Sequence, residues 1–433
     1  MPESRATVLP VPLADLADVP TPAYIYDVAR VRRNHASLRA ALPDQTSLYY
    51  SLKANPHPAL LSTLRACGAL PEICSTGELD AALAAGWDPA DALYTGPGKS
   101  DAEIRDALAR GVRLFSVDSP YAIDQLDRLA AEQDVTAECL LRVNDDQPVP
   151  GQGLVMTGVA SQFGADLGWV TAEPERFANR PSAEIVGLHL YMGTNLAEVD
   201  SLYGQFERAL ATARRLTEVL AEHGVRLRIF DLGGGFGAPF AKEGETVDLT
   251  ALRPRLEKLF DAEIPDWRDQ TPKVVFESGR YLVGTSGTLL TPVLDVKRSQ
   301  GKDIVVLASG IHHLGGMSGL RRLPVLAPQV VHAAAEADSV PELDAVVVGP
   351  LCTPLDTWAR SAKLPALSPG DLVAIPNVGA YGLFASLIGF LGHPLPTEAV
   401  VDSDRPGGAP ELTRVSLIRA AVPAASAPTP GVN

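Results

Sequence analysis

Between residues 48 and 278 the chain alternates short apolar runs with segments of helical character, a pattern typical of strands followed by helices. The runs lie at 48–54, 71–75, 92–96, 114–118, 138–144, 184–192, 228–234 and 273–278. Eight such units predict an α/β fold, a (β/α)8 TIM-like barrel, in which functional residues lie at the carboxyl ends of the strands. A doubly wound open sheet is the alternative, because the strand count alone does not exclude it.

The helical segments begin before the first apolar run and follow most of the others. One of them opens with a capping box formed by Ser100 and Glu103. The predicted helices span residues 28–42, 58–67, 78–85, 100–110, 120–132, 202–223 and 252–260.

After Tyr281 the chain becomes β-rich, with turns at Gly and Pro and little helix. This texture predicts a C-terminal antiparallel β-domain, which an early strand at 21–27 could join. The predicted organisation is a barrel over residues 28–284, a β-domain from residues 1–27 plus 285–421, and a disordered tail over 422–433. The tail is rich in Ala, Pro and Ser.

The composition narrows the classes of ligand. A net charge of −15 over 433 residues argues against binding to nucleic acid and to anionic membranes, which both need clustered Lys or Arg. The sequence shows neither a signal-peptide pattern nor an apolar run long enough to span a membrane. Its 4 scattered cysteines fit neither a disulfide framework nor a zinc site. We therefore expect a cytoplasmic protein that acts on a small molecule and binds no metal.

Lys53 ends the first predicted strand, directly after Tyr49, Tyr50 and Leu52. An unpaired ammonium buried at a strand end has a lowered pKa, and such an amine forms Schiff bases with carbonyl compounds. The alternative interpretation is that Lys53 reaches into solvent, as most lysines at strand ends do.

Other polar residues also collect at predicted strand ends. Each has an ordinary structural explanation by itself, but a barrel places all of them on one rim. They are Ser75, Asp118, Arg142, Asn144, Tyr191, Glu277 and Arg280.

The run Gly233 to Gly237 (GGGFG) follows the seventh strand, and its bare amides can surround an anion, usually a phosphate. The run lacks the spacing of a dinucleotide site and the Lys-Ser/Thr of a P-loop, so a single phosphate group is favoured. A tight turn without a ligand is the alternative. A reactive lysine, a phosphate cradle and a strand-end carboxylate such as Glu277 are together what pyridoxal 5'-phosphate requires.

Eight motifs resemble those of the fold-type III pyridoxal-phosphate decarboxylases, the superfamily of the diaminopimelate, ornithine and arginine decarboxylases. They are YYSLKAN (49–55), CSTGEL (74–79), SQFG (161–164), GLHLYMGT (187–194), LGGGFG (232–237), FESGRYLV (276–283), GPLC (349–352) and GAYG (379–382). They follow the family's order over nearly the whole chain. The resemblance implies a barrel followed by a β-domain, and a homodimer with two active sites at its interface.

The resemblance also implies roles for single residues. Lys53 would bind the cofactor covalently, and Glu277 would face its pyridine nitrogen. Cys352, which by itself reads as a small core residue, would reach the neighbouring subunit's site and protonate the carbon that has lost carbon dioxide. The phosphate would be surrounded by Thr194, Gly234, Gly235, Phe236, Gly237, Gly279 and Arg280, and closed over by Tyr381.

Four positions bear on how the cofactor ring is held and on which substrate is bound. Tyr191 replaces the histidine that usually stacks on the cofactor ring, and His189, two residues earlier on the same strand face, could compensate. Thr353 replaces the acid that often follows the cysteine and binds a distal substrate amine. Asp356 remains nearby, and we expect Thr353 and Asp356 to contact the substrate. A buried cation needs a paired carboxylate, so this loss argues against free lysine, ornithine or diaminopimelate.

The segment that often supplies an arginine for a substrate carboxylate contains Arg321 and Arg322, and we expect Arg322 to bind substrate, with Arg321 the alternative. Within the same segment, His312 and His313 resemble a metal pair only superficially, because adjacent residues rarely bind one ion together.

These departures resemble the biosynthetic branch of the family, which acts on citryl-diaminopropionate in siderophore assembly or on aminoacyl groups tethered to a carrier protein. The sequence therefore predicts α-decarboxylation of such a modified amino acid. A diaminopimelate or other basic amino-acid decarboxylase is one alternative. A racemase would need a two-base relay that is not seen, and a noncatalytic regulator would usually have lost the lysine or the cysteine.

Overall fold

The apolar runs form a closed parallel barrel in the computed structural model, which describes residues 8–146, 158–315, 328–333 and 343–420. With strands numbered along the chain, those of the barrel are β2 (Ser47–Ser51), β3 (Leu70–Ile73), β4 (Leu93–Tyr94), β5 (Leu114–Val117), β6 (Ala137–Asn144), β8 (Ala183–His189), β9 (Ile229–Asp231) and β10 (Lys273–Ser278). Pairing of β5 with β6 closes the ring, so the barrel prediction is confirmed and the open sheet is excluded. A short strand, β7 (Ala165–Asp166), pairs in parallel with the last two residues of β6.

The predicted helices are confirmed, with ends that differ by a few residues. In α4 the Ser100 hydroxyl accepts a hydrogen bond from the Glu103 amide and the Ser100 amide donates to the Glu103 carboxylate, which is the expected capping box. The sequence did not indicate two short helices, Leu167–Ala172 with six residues and Arg280–Val283 with four. The helices are α1 (Val28–Ala40), α2 (Pro58–Ala66), α3 (Thr76–Ala84), α4 (Asp101–Ala109), α5 (Pro120–Ala131), α6 (Leu167–Ala172), α7 (Val199–Ala221), α8 (Leu252–Glu263) and α9 (Arg280–Val283).

An apolar layer fills the interior of the barrel, with one side chain from each strand. Its members are Tyr49, Leu70, Leu93, Leu114, Leu140, Val186, Ile229 and Val275. A packed layer of this kind closes the barrel to solvent, and the polar side chains of the barrel interior therefore gather at its carboxyl end.

A second sheet of nine strands lies beyond the barrel in sequence and is mostly antiparallel, as predicted. The early strand Ala23–Asp27 joins it, pairing antiparallel with Gly287–Ser299 and parallel with Thr397–Val401. A second parallel pairing joins Lys302–Leu307 to Leu343–Val348. The strands are β1 (Ala23–Asp27), β11 (Gly287–Ser299), β12 (Lys302–Leu307), β13 (Val331–His332), β14 (Leu343–Val348), β15 (Thr357–Leu364), β16 (Leu372–Ile375), β17 (Thr397–Val401) and β18 (Glu411–Thr413). The predicted tail at 422–433 lies outside the described residues.

The loop after β16 brings the second sheet to the barrel rim. The Asn55 side chain donates a hydrogen bond to the Gly379 carbonyl (2.8 Å), and the Tyr381 amide donates to the Ala54 carbonyl (2.8 Å). These bonds fix Tyr381 next to Lys53. No helix among the residues described has the length and apolarity needed to cross a membrane.

Candidate active site

Lys53 lies in a short turn directly after β2, and its ammonium pairs with a buried carboxylate. The Nζ atom is 2.9 Å from Oε1 of Glu72 on β3, and the Thr95 hydroxyl donates to the same oxygen (2.7 Å). The Lys53 side chain is 46% exposed, whereas that of Glu72 is 1% exposed. Burial lowers the pKa of Lys53, but the carboxylates of Glu72 and Glu277 together raise that pKa above its usual value.

The lowered pKa expected for Lys53 is therefore wrong, because the prediction assumed an ammonium without a partner. Sequence reasoning missed Glu72, although a charged residue inside the apolar run 71–75 was a usable signal. The ion pair with Glu72 holds the Lys53 amine at the rim. The amine can still react as a nucleophile once a ligand replaces its hydrogen bond to Glu72.

Glu277 is the penultimate residue of β10 and is buried in the mouth of the barrel, next to two other buried polar residues. The polar atoms of His189, Asp231 and Glu277 lie within 4.8 Å of one another. His189 Nε2 is 3.4 Å from Glu277 Oε1, and His189 Nδ1 lies 2.9 Å from the Ser116 hydroxyl. Burial, with the charges of Arg142 and Lys53, lowers the pKa of His189, so its ring is neutral. His189 is therefore a buried neutral neighbour of Glu277, and its expected part in holding the cofactor ring stays a prediction.

The glycine run after β9 forms a loop in which, within the described residues, the two end amides, those of Gly233 and Gly237, donate hydrogen bonds and the three between them do not. Among the described residues, none accepts a hydrogen bond from the backbone N–H of Gly234, Gly235 or Phe236. A side chain at Gly234 would place its Cβ 2.2 Å from the Glu277 carbonyl oxygen, so only glycine allows the loop to lie this close to β10. Backbone N–H groups that have no acceptor in the protein can bind an anion, and a phosphate supplies several acceptor oxygens.

The segment after β8 lines the other side of this loop. The Leu196 amide donates to the Gly235 carbonyl (2.8 Å), and the Gly237 amide donates to the Leu196 carbonyl (3.0 Å). The Phe236 ring packs into the core against Phe206, with ring centroids 5.8 Å apart. Thr194 belongs to this segment, so the structure brings the predicted phosphate residues of β8 and β9 together.

Arg280 and Tyr381 face each other at the edge of this cradle, with the guanidinium carbon 4.8 Å from the ring centroid. Gly279 precedes Arg280 and lies against the turn of Lys53, because a Cβ there would be 2.9 Å from that of Ala54. Tyr381 adopts a left-handed backbone conformation (φ 54°), which its hydrogen bond to Ala54 maintains. A lysine, a carboxylate and an anion cradle thus converge on one rim.

Tyr191 follows β8 and packs directly on the glycine loop. A Cβ at Gly233 would lie 2.8 Å from Tyr191 Cδ2, and Gly233 has a positive φ of 67°. Burial and the neighbouring Tyr381 raise the pKa of the Tyr191 phenol, which keeps it neutral. Arg142 is 8% exposed and lies between the rings of Phe163 (4.6 Å) and Tyr191 (5.9 Å). In the described part of the chain, no carboxylate lies within ion-pair distance of the Arg142 guanidinium.

Cys352 lies in the loop that joins β14 to β15 and is exposed. Asp356 holds this loop: its two carboxylate oxygens accept hydrogen bonds from the amides of Ile311 (2.8 Å) and Leu351 (2.9 Å). Asp356 is 1% exposed, so its position favours a loop-fixing role over the substrate contact expected from sequence. Thr353 is half-buried, and its hydroxyl accepts a hydrogen bond from the Leu355 amide (3.3 Å).

The expected substrate residue Arg322 and its alternative Arg321 lie outside the described residues. The rings of His312 and His313, which precede them, pack at a tilt of 38° with centroids 3.7 Å apart. The His313 ring lies within hydrogen-bonding distance of Ser309 Oγ and of the Pro394 carbonyl, and burial lowers its pKa to about 4. This pair is a structural contact of the second sheet.

Comparison with known proteins places these features in context. Residues 28–284 match the family model of the pyridoxal binding domain of pyridoxal-dependent decarboxylases. The chain is 32% identical to the L-glutamyl-[BtrI acyl-carrier protein] decarboxylase of Niallia circulans, over 87% of this chain and 88% of that protein. It is 30% identical to the 2-[(L-alanin-3-ylcarbamoyl)methyl]-2-hydroxybutanedioate decarboxylase of Staphylococcus aureus, over 86% and 92%.

A solved structure with a similar fold is that of the diaminopimelate decarboxylase from Helicobacter pylori complexed with L-lysine. It superposes with a TM-score of 0.76 and 25% identity, over 92% of this chain and 94% of that one. The similarity spans both the barrel and the second sheet.

Proposed function

Since the chain belongs to the pyridoxal-dependent decarboxylases, we propose that it decarboxylates a modified amino acid whose distal end carries no ammonium group. The coarser activity, decarboxylation of an amino acid with pyridoxal phosphate, follows from membership of the family. The finer proposal depends on one observation, the chemistry of the loop that carries Cys352.

The residues of the rim fit pyridoxal phosphate. Glu277 is a buried carboxylate at the mouth of the barrel, and one of its two oxygens remains available to face a pyridine nitrogen when the other is turned toward His189. The unused amides of the glycine loop suit the phosphate, and Lys53 lies on the same rim. When bound, the cofactor supplies an electron sink for the pair left behind when carbon dioxide departs.

The protein's own residues would bind, orient and move a proton. Lys53 would hold the cofactor covalently and yield its place to the substrate amine, with Glu72 fixing the amine at the rim. Thr194, Arg280 and Tyr381 would hold the phosphate, while Tyr191 would support the ring. Orientation by several fixed groups converts binding energy into a defined reacting geometry.

Cys352 of a second copy of the chain would deliver the proton to the carbon that has lost carbon dioxide. The thiol is exposed, and its loop carries an exposed apolar residue, Leu355 (58% exposed). Phe384 (44%) and Phe390 (42%), which follow Tyr381 in the sequence, are also exposed. Exposed apolar side chains grouped around functional residues are typical of a subunit interface. They support the proposed homodimer with shared sites, which, like the cytoplasmic location, stays a prediction.

The substrate class follows from the Cys352 loop. A distal ammonium brought into a closed site needs a carboxylate partner. The position after the cysteine is Thr353, and the carboxylate of Asp356 is buried and already accepts two amide hydrogen bonds. This loop therefore offers no carboxylate to a distal amine, whereas a hydroxyl can hydrogen-bond an amide or a carboxylate.

Two relatives have substrates of the expected kind by their names. One acts on a glutamyl group on an acyl-carrier protein, and the other on a hydroxybutanedioate joined by a carbamoyl link to an alanin-3-yl group. We propose a substrate from these two classes, carrier-tethered or polycarboxylate. A diaminopimelate or other basic amino-acid decarboxylase is the second candidate, favoured by the likeness to the Helicobacter pylori enzyme.

The substitution Thr353→Asp is expected to raise kcat/KM for diaminopimelate or lysine by about tenfold or more, because it restores a carboxylate for the distal amine. The matched control Thr353→Asn has the same size without the charge and should show no such gain. Steady-state kinetics on both variants measures the effect. Efficient turnover of diaminopimelate by the unmodified enzyme would contradict the proposed substrate class.

A further inference from the structure

Asp231 is a buried carboxylate beside Glu277 for which the reaction as described has no use. It ends β9 and is 0% exposed. Its Oδ1 atom accepts a hydrogen bond from the Gly233 amide (2.8 Å), while its Oδ2 atom has no partner among the described residues. Asp231 therefore touches the glycine loop with one oxygen and leaves the other free toward Glu277.

Within the part of the chain that the structure describes, three buried polar atoms of this cluster have no hydrogen-bond partner, and their residues approach within 4.8 Å of one another. The atoms are Asp231 Oδ2, Glu277 Oε1 and His189 Nε2. Two carboxylates cannot both be ionised at such short range in a buried site without a large free-energy cost. A proton held between them relieves the repulsion and gives the orphan oxygens a hydrogen bond.

We propose that Asp231 and Glu277 share one proton, and that Asp231 is the positioning residue that keeps this proton so that Glu277 stays ionised toward the pyridine nitrogen. The proposal rests on the placement of the cofactor described above. Because Asp231 also binds the Gly233 amide, one residue then sets both the phosphate loop and the carboxylate that faces the nitrogen.

The charges around the pair agree with a retained proton. Burial raises the pKa of Asp231 to about 7, and it also raises the pKa of Glu277, with Glu72 adding repulsion to both. Arg142 lowers both pKa values, and Lys53 lowers that of Glu277.

The remaining neighbours of the pair carry no charge near neutral pH. His189 is neutral, and burial raises the pKa of the Tyr49 phenol, which lies beside Glu277 across the β2–β10 pairing. Near neutral pH, the pair in the folded protein therefore holds one proton, whereas the same two carboxylates in the unfolded protein hold none.

The sign of the pH effect follows from the raised pKa. Between the unfolded value near 4 and the folded value near 7, the folded protein binds more protons, so stability falls as pH rises through this window. Asp231→Asn keeps an acceptor for Gly233 and supplies an N–H to Glu277, so it mimics the protonated acid. The melting temperature of its apoprotein should exceed that of wild type by an amount that grows from pH 5 to pH 8.

Cofactor binding supplies the second measurement. Asp231→Ala removes the hydrogen bonds to Gly233 and Glu277, and the dissociation constant for pyridoxal phosphate should rise about tenfold or more. Asp231→Asn should bind within about threefold of wild type, a rescue by the conservative variant.

Each result decides a separate part of the proposal. A melting difference between Asp231→Asn and wild type that is constant with pH would overturn the shared proton. The positioning role would be overturned if Asp231→Ala bound the cofactor as tightly as wild type, or if Asp231→Ala and Asp231→Asn lost the same amount of cofactor affinity. If wild type itself bound no cofactor, the proposed function would fail, while the apoprotein measurement would still decide the proton.

Discussion

Replacing Lys53 with alanine is expected to abolish decarboxylation and the covalent attachment of pyridoxal phosphate together. The side chain supplies the amine at the rim where the glycine loop and Glu277 converge, and the proposed reaction begins when the substrate amine displaces it. Activity should fall by about a thousandfold or more, as for removal of other covalent nucleophiles. The measurements are the visible absorption of the bound cofactor and the release of carbon dioxide.

The matched control is Lys53→Arg, which keeps a cation beside Glu72 but cannot bind the cofactor covalently. It should fold as wild type and lack the absorption band. Retention of the band would point to a different lysine. Lys99 is the candidate, since burial lowers its pKa to about 8, although its ammonium already donates hydrogen bonds to the Gly96 and Ser116 carbonyls (2.7 and 2.8 Å).

Cys352→Ala is expected to keep the cofactor and lose turnover. A positioned proton donor contributes on the order of a hundredfold or more, so kcat should fall by that amount while the absorption band stays. The reaction should also yield aberrant product, because the carbon that lost carbon dioxide waits longer for its proton. Product analysis by mass spectrometry, beside steady-state kinetics, measures both effects.

Two controls separate the role of Cys352 from general damage. Cys67→Ala removes a half-buried thiol at the end of α2 and should leave the kinetics unchanged. Mixing Lys53→Ala with Cys352→Ala chains should restore about a quarter of wild-type activity, because half the dimers then hold one intact site. Unchanged kinetics in Cys352→Ala would remove its assigned role, and a mixture without recovery would contradict shared sites.

The sequence predicted the barrel because each strand carries its own local signal, a short apolar run followed by a helix. All eight runs are strands, and the β1 segment joins the second sheet as expected. Two details depend on contacts between distant residues and left no local pattern. They are the parallel pairings β1–β17 and β12–β14, and the hydrogen bonds that bring Tyr381 to Ala54.

The sequence predicted which residues form the candidate site better than it predicted their pKa shifts. Lys53, Glu277 and the glycine loop do converge on one rim. Glu72 was missed because an acid within an apolar run reads as an irregularity until its partner is known, and Asp231 was missed for the same reason. Both acids change the chemistry, since one reverses the expected pKa shift of Lys53 and the other adds a proton beside Glu277.

The most direct test of the account compares carbon dioxide release from three substrate classes by the purified, cofactor-loaded enzyme. These are aminoacyl groups on an acyl-carrier protein, citryl-type diamino acids, and the free amino acids diaminopimelate, lysine and ornithine. We expect carbon dioxide release from one of the first two classes, with kcat/KM at least about a hundredfold above that for any free diamino acid. Preferred turnover of a free diamino acid would contradict it.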